Sequence, residues 1–183
     1  MSSILKVDQL QDSGGNAIIT SNGSGTITVN SQPFKNGITM ADQWRLTTTF
    51  TGNASPIATN LERNDSVGYE KIGTGMTESS GIFTFPSTGI YLITFSTCIY
   101  RVNADAVMNS EIAVTTDNSS YTVVARGYTG TGSLASNYNP TYTSTFVDVT
   151  DVSNVKVRFN ISSNNQLNGI VGSSSINTTH MTF

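Results

Sequence analysis

One histidine and one cysteine limit the chemistry open to this 183-residue chain. His180 stands near the C-terminus, in a stretch over 177–183 that reads as a strand. A Ser-His-Asp hydrolase needs an imidazole beside a nucleophile, and no Gly-x-Ser-x-Gly turn is present to carry one. Cys98 lies inside a long run of strand-forming residues, the setting of a small sheet-facing side chain rather than of an activated thiolate. A lone cysteine makes no intrachain disulfide, and a His/Cys metal cluster is excluded by number. Carboxylate-only chemistry stays open by count, although Asp105, Asp117, Asp148 and Asp151 fall in or near turns, where acids are ordinarily solvated. Binding chemistry has better material. A Gly/Ser/Asn-rich segment over 129–140 has Tyr128, Tyr138 and Tyr142 in or beside it, and a second polar loop over 162–169 contains Asn164 and Asn165. Tyrosine among serine, glycine and asparagine is the chemistry of adaptable contact surfaces; the competing reading is two long solvent loops.

The composition agrees with a non-catalytic β-protein. Charged residues are only 11%, with a net charge of −3 and a pI near 4.9. A mildly acidic surface has no electrostatic reason to bind nucleic acid or anionic lipid. No apolar run approaches the length of a membrane span, so no membrane insertion is expected. The opening residues lack the apolar core of a signal peptide, which leads to the expectation of synthesis in a cytoplasm.

The elements that must position these residues are strands. Over 81–95 the sequence reads strand, corner, strand. Ile82, Phe83, Thr84 and Phe85 suit a half-buried pleated surface. Pro86 cannot donate to a sheet and stops the first strand. Gly89 takes a positive φ without steric cost. The second run, from Ile90 to about Val102, spans on the order of 40 Å if extended and predicts a central strand. Trp44, Leu46, Thr48 and Phe50 share one face of an earlier strand, with Trp44 expected in the core or at a subunit contact. Met108, Ile112 and Val114 are expected inward, as is Val123 or Val124. Val155, Val157, Phe159 and Ile161 form the cleanest period-two pattern in the chain. Phe146 and Val149 are the strongly apolar residues of a strand over 143–149. About eight to ten strands are expected, in an all-β antiparallel sandwich. Residues 1–38 read as an arm with a linker: two short strands around the turn at 21–25, too little to be stable alone. Residues 39–183 read as the globular domain.

The pattern Gly81-x-Phe83-x-x-Pro86-x-x-Gly89-x-Tyr91 resembles the hallmark of C1q-like domains, in the C1q/tumour-necrosis-factor (TNF) jelly-roll superfamily. Ile93 stands where the family usually has an aromatic, and keeps an apolar side chain there. The resemblance implies a jelly-roll sandwich over 39–183 and assembly into a homotrimer. It also implies that calcium near a threefold axis would fall to Asp148 and Asp151, whose spacing does not match a calcium-loop motif; no cofactor is otherwise expected. The opening 3–19, Ser-Ile-Leu-Lys-Val-Asp-Gln-Leu-Gln-Asp-Ser-Gly-Gly-Asn-Ala-Ile-Ile, is similar to the N-termini of tailed-phage virion proteins. Together the resemblances imply a homotrimeric structural protein of a phage virion, a decoration protein or fibre/knob component, made in the host cytoplasm. Its arm would hold other virion proteins. The alternatives are a tail-fibre head that binds a host glycan or receptor, and a bacterial C1q-like binding protein with no virus involved.

Overall fold

The computed structural model describes residues 7–29, 37–103, 105–131, 137–164 and 167–183. The chain forms two compact units, 1–37 and 38–183. In the first, β1 (Gln9–Gln11), β2 (Ala17–Ser21) and β3 (Ile27–Val29) make an antiparallel sheet in the order β1-β2-β3. Its turns are closed by side chains. Asp12 Oδ1 accepts the Gly14 and Asn16 N–H groups, each at 2.9 Å, and Asn22 Oδ1 accepts the Ser24 N–H at 2.8 Å. Leu10 lies on β1, paired with Ile19 of β2.

The second unit is a sandwich of two antiparallel sheets. Its strands are β4 (Gln43–Leu46), β5 (Thr48–Thr51), β6 (Leu61–Arg63), β7 (Thr77–Ser79), β8 (Ile82–Thr84), β9 (Gly89–Tyr100), β10 (Asp105–Thr115), β11 (Thr122–Thr131), β12 (Tyr138–Val149), β13 (Lys156–Ser163), β14 (Gly169–Ser173) and β15 (His180–Thr182). One sheet runs β11-β10-β13-β8-β7. In the other, β9 is central. Its whole length pairs with β12 on one side, and β15 and β14 share the other side. Strand β15 in turn pairs with β4, and β14 with β5.

The residues over 81–95 build the centre of this sandwich. Gly81 turns between β7 and β8 at φ +81°, and a Cβ there would meet the Ile57 carbonyl and lie 2.9 Å from Pro56. Gly89 opens β9 at φ +149°. The Tyr91 hydroxyl donates back to the Ser87 carbonyl at 2.9 Å and its ring packs 4.7 Å from Phe85, which locks the corner. Phe83 and Ile93 are fully buried. Phe83 reaches across the sandwich to Trp44 at 5.5 Å and Phe183 at 5.2 Å, and along its own sheet to Phe159 at 5.5 Å. Trp44 is therefore a core residue, with its indole N–H donating to Asp42 at 3.0 Å.

Asp42 ties β4 to its surroundings. Its buried carboxylate also accepts from Arg63 Nε at 3.0 Å, the Tyr69 hydroxyl at 2.8 Å and the Met76 N–H at 2.7 Å. Burial pushes this carboxyl up, but the four donors outweigh it and hold its pKa below the ordinary value. Tyr69 is pushed up to about 12 by its own burial and by the Asp42 carboxylate.

One sequence expectation is revised. Val123 and Val124 are both exposed. The pairing of β10 with β11 shifts between Ile112 and Ala113, and Ala125, opposite Ile112, is the residue packed against the core. The charged segment 61–65 contains β6, because β4 supplies a pairing edge.

Phe83→Ala should lose about 3–5 kcal/mol of stability, the range for truncating a buried aromatic. Gly81→Ala should lower the thermal midpoint without such a cavity, since the added methyl meets backbone at a positive φ. Urea and thermal unfolding of both variants would check this; an unchanged midpoint for Gly81→Ala contradicts the turn geometry.

Candidate functional site: an aromatic sheet face

Strand alternation gives the larger sheet a core side and an outer side. Along β9, Tyr91, Ile93, Phe95, Thr97 and Ile99 point inward, which leaves Ile90, Leu92, Thr94, Ser96, Cys98 and Tyr100 outward. Along β12, Thr141, Thr143, Val147 and Val149 point inward, and Tyr138, Pro140, Tyr142, Ser144, Phe146 and Asp148 outward. The register sets Phe146 opposite Leu92, Asp148 opposite Ile90, and Tyr138 opposite Tyr100, with those two rings 5.1 Å apart. Phe146, Tyr142 and Tyr138 lie four residues apart on one face and are 71%, 64% and 62% exposed. With Ile90 and Leu92 also exposed, they form an apolar and aromatic ridge along an edge strand.

The ridge is firmly supported. Inside the sandwich the Thr97 and Thr141 hydroxyls are 2.7 Å apart, and Thr141 bonds in turn to Ser110 on β10. Gly127 on β11 lets the two sheets close together here, for a Cβ would lie 3.1 Å from the Tyr142 carbonyl. Across the face the character changes. His180 and Thr182 lie outward on β15, opposite Ser96 and Thr94 of β9 and Arg45 and Gln43 of β4. Arg45 is fully buried, its guanidinium bonded to Glu62 at 2.7 Å, Ser66 at 2.8 Å, Asn64 at 3.2 Å, Asp65 and the Ser174 carbonyl. A buried cation needs such a complete set of acceptors.

The tyrosines expected in loops are therefore strand residues. Tyr128 is on β11, facing out from the smaller sheet, and Tyr138 and Tyr142 are on β12. The segment between the strands is shorter than 129–140 because the Tyr/Thr alternation carries pairing with β9 as far as Tyr138. Pro140 is tolerated since β12 pairs on one side only. Asn164 lies in an exposed bend after β13, and Asn165 lies outside the described residues. Asp148 faces outward at the end of the ridge. Asp151 is engaged in its own turn, accepting the Ser153 N–H and the Asn154 amide at 2.7 Å each; the Ser153 bond is the main cause of its lowered pKa. Among the described residues no three His, Cys, Asp or Glu side chains gather as a metal site. The Cys98 thiol is half-buried on the outer face, and its pKa is raised by desolvation. Among the described residues no helix is long and apolar enough to cross a membrane. Sequence reasoning missed the Asp42 and Arg45 networks, whose partners lie up to 129 residues away.

No protein family matches the sequence, and no curated protein is similar to it in sequence. Solved structures are similar in fold. Murine APRIL at pH 8.5 is similar with a TM-score of 0.56 at 14% identity, covering 79% of this chain and 96% of that one. Eiger TNF from S. frugiperda is similar with a TM-score of 0.56 at 9% identity, covering 78% and 89%. The fold is a C1q/TNF-like jelly roll. The motif at 81–93 is its central corner, and the ridge lies on the outer face of its larger sheet.

His180 links this face to pH. Burial pushes its pKa below 6.5, and Nδ1 is buried without a hydrogen-bond partner. As the pH falls through 6.5 the unfolded chain takes up the proton first, so stability falls from there until the folded imidazole is also protonated. His180→Gln should lose less thermal stability than the wild type between about pH 7.5 and 5.5. Equal losses would rule out His180 as a source of the dependence.

Proposed function

We propose that the protein is a self-associating binding head, not a catalyst. Three identical copies bury the β9/β12 ridge against one another and leave their polar surfaces to meet a receptor or glycan. The observation that carries this is the row of Tyr138, Tyr142 and Phe146 standing largely exposed on one face, beside Leu92 and Ile90. A contiguous apolar patch of this kind on a soluble domain marks an interface. Aromatic side chains are the usual anchors of such contacts. Light scattering across a range of concentrations tests the reading. A constant mass of three chains is expected, and Phe146→Ser should yield a folded single chain. A wild-type protein of single-chain mass would overturn the assembly.

The arm is the attachment segment in this reading. Support comes from Leu10, Ile27 and Val29, exposed on a three-stranded sheet in which none of the described residues is buried. The similarity of 3–19 to phage virion proteins supports a head carried on a particle surface. A chain starting at residue 38 should fold with a thermal midpoint like that of the full chain and keep its mass of three. It should no longer sediment with particles that retain the full chain. Unfolding of the shortened chain would show that the arm is part of the head.

A further inference from the structure

The outer face of the smaller sheet differs from the ridge. Register places two rows of polar side chains across β11, β10 and β13. One row is Tyr128, Asn109 and Ser162; the other is Arg126, Glu111 and Asn160. They lie opposite the core-facing Met108, Ser110, Ile112, Phe159 and Ile161. Although they point away from the core, Asn160 is only 4% exposed and Glu111 8%. They form the floor of the face, and exposed Tyr128 and Arg126 stand beside it.

The hydrogen bonds among the six leave a specific deficit. Glu111 pairs with Arg126 at 2.7 Å and accepts the Asn160 amide N–H at 3.3 Å. The Asn109 amide donates to the Ser162 hydroxyl at 3.0 Å. The Asn160 and Asn109 amide oxygens are both buried and receive no donor. An unmatched buried acceptor forfeits its hydration without replacement, so two neighbouring ones on a single face call for a ligand rich in donors. A metal cation is disfavoured, because the Arg126 guanidinium already neutralises the one carboxylate of the group. Within these six residues the same pairing leaves no surplus positive charge for a polyanion; Arg158, one row further along β13, has its guanidinium 4.3 Å over the Tyr121 ring.

We propose that this face binds a neutral saccharide. Sugar hydroxyls donate to the Asn109 and Asn160 oxygens and accept from Arg126, while the apolar C–H face of the ring lies against Tyr128. The aromatic ring is available for this. It is exposed, with the Arg126 guanidinium 5.8 Å from its centre and Nη1 donating to its hydroxyl at 3.2 Å. Arg126 and Tyr128 are the long, exposed side chains of the six, and their rotation admits the ligand to the floor. The proposal rests on the reading of the protein as a binding head and names its ligand class. It uses a face separate from the ridge.

Saturation-transfer NMR and calorimetry on the full chain test it, with methyl glycosides of glucose, galactose, mannose and N-acetylglucosamine, and N-acetylneuraminic acid as the anionic probe. At least one neutral glycoside should bind. Tyr128→Ala and Asn109→Ala should each weaken it tenfold or more with thermal midpoint and mass unchanged. Tyr142→Ala should leave the affinity as it was. Should Asn160→Ala fail to fold, the variants at Tyr128 and Asn109 still decide. No neutral glycoside bound, binding of the anionic probe alone, or binding indifferent to Tyr128 would each overturn the proposal. A trimer without sugar affinity removes the site and leaves the assembly standing; a sugar-binding single chain does the reverse.

Discussion

The packing of Phe83 across the sandwich is the contact on which the rest depends. It sits on β8 and meets Trp44 and Phe183 from the opposite sheet, while Phe159 beside it meets Phe95 at 5.0 Å. Five aromatic rings thus join the first strand of the head, the central strand β9, the returning strand β13 and the end of the chain. Each buries a large apolar area, and edge-on contacts add to what area alone supplies. The Gly81 turn and the Tyr91 corner exist to deliver Phe83 and Ile93 to this point in register. Asp42 holds the near end of the same cluster, bonding the Trp44 indole through its side chain and Phe183 through its backbone.

Once the core side of each strand is settled, the outer sides follow by alternation, and they are unlike. The larger sheet turns out a ridge of tyrosine and phenylalanine on β12, then His180 and the buried Arg45 network. The smaller sheet turns out asparagine, glutamate and arginine around one tyrosine. The first surface is suited to burial against a like surface, because its residues lose little by leaving water. The second keeps its amides and charges hydrogen-bonded to one another, with two acceptors unmatched. A single sandwich therefore carries an apolar, aromatic face on one layer and a polar, amide-lined face on the other.

Much of the sandwich was legible in order. The alternation of Val155, Val157, Phe159 and Ile161 marks an inward face, and all four are buried. The pattern from Gly81 to Tyr91 marks strand, corner and strand. The face carrying the aromatic ridge was harder to read. Phe146 and Val149 both look like core residues, yet they differ in parity and cannot share a side; Val147 and Val149 are buried and Phe146 is not. A strand's own residues do not say which of two apolar sets faces inward, since a shift of one residue exchanges them. Tyr138 and Tyr142 were hidden for a related reason, because Gly, Ser and Asn nearby masked the strand that pairing with β9 sustains.

The sequence by itself determined an all-β chain with a Gly/Pro-punctuated central corner, poor in reactive side chains, because turn residues and period-two apolar spacing act locally. Only the tertiary structure decided which aromatic residues stand outside and which polar ones are buried. Arg45 is enclosed by residues from 62 to 66 and by Ser174, and Asn160 meets Glu111 49 residues away. Burial at these positions is set by what the fold brings over them, and no neighbour in sequence carries that information.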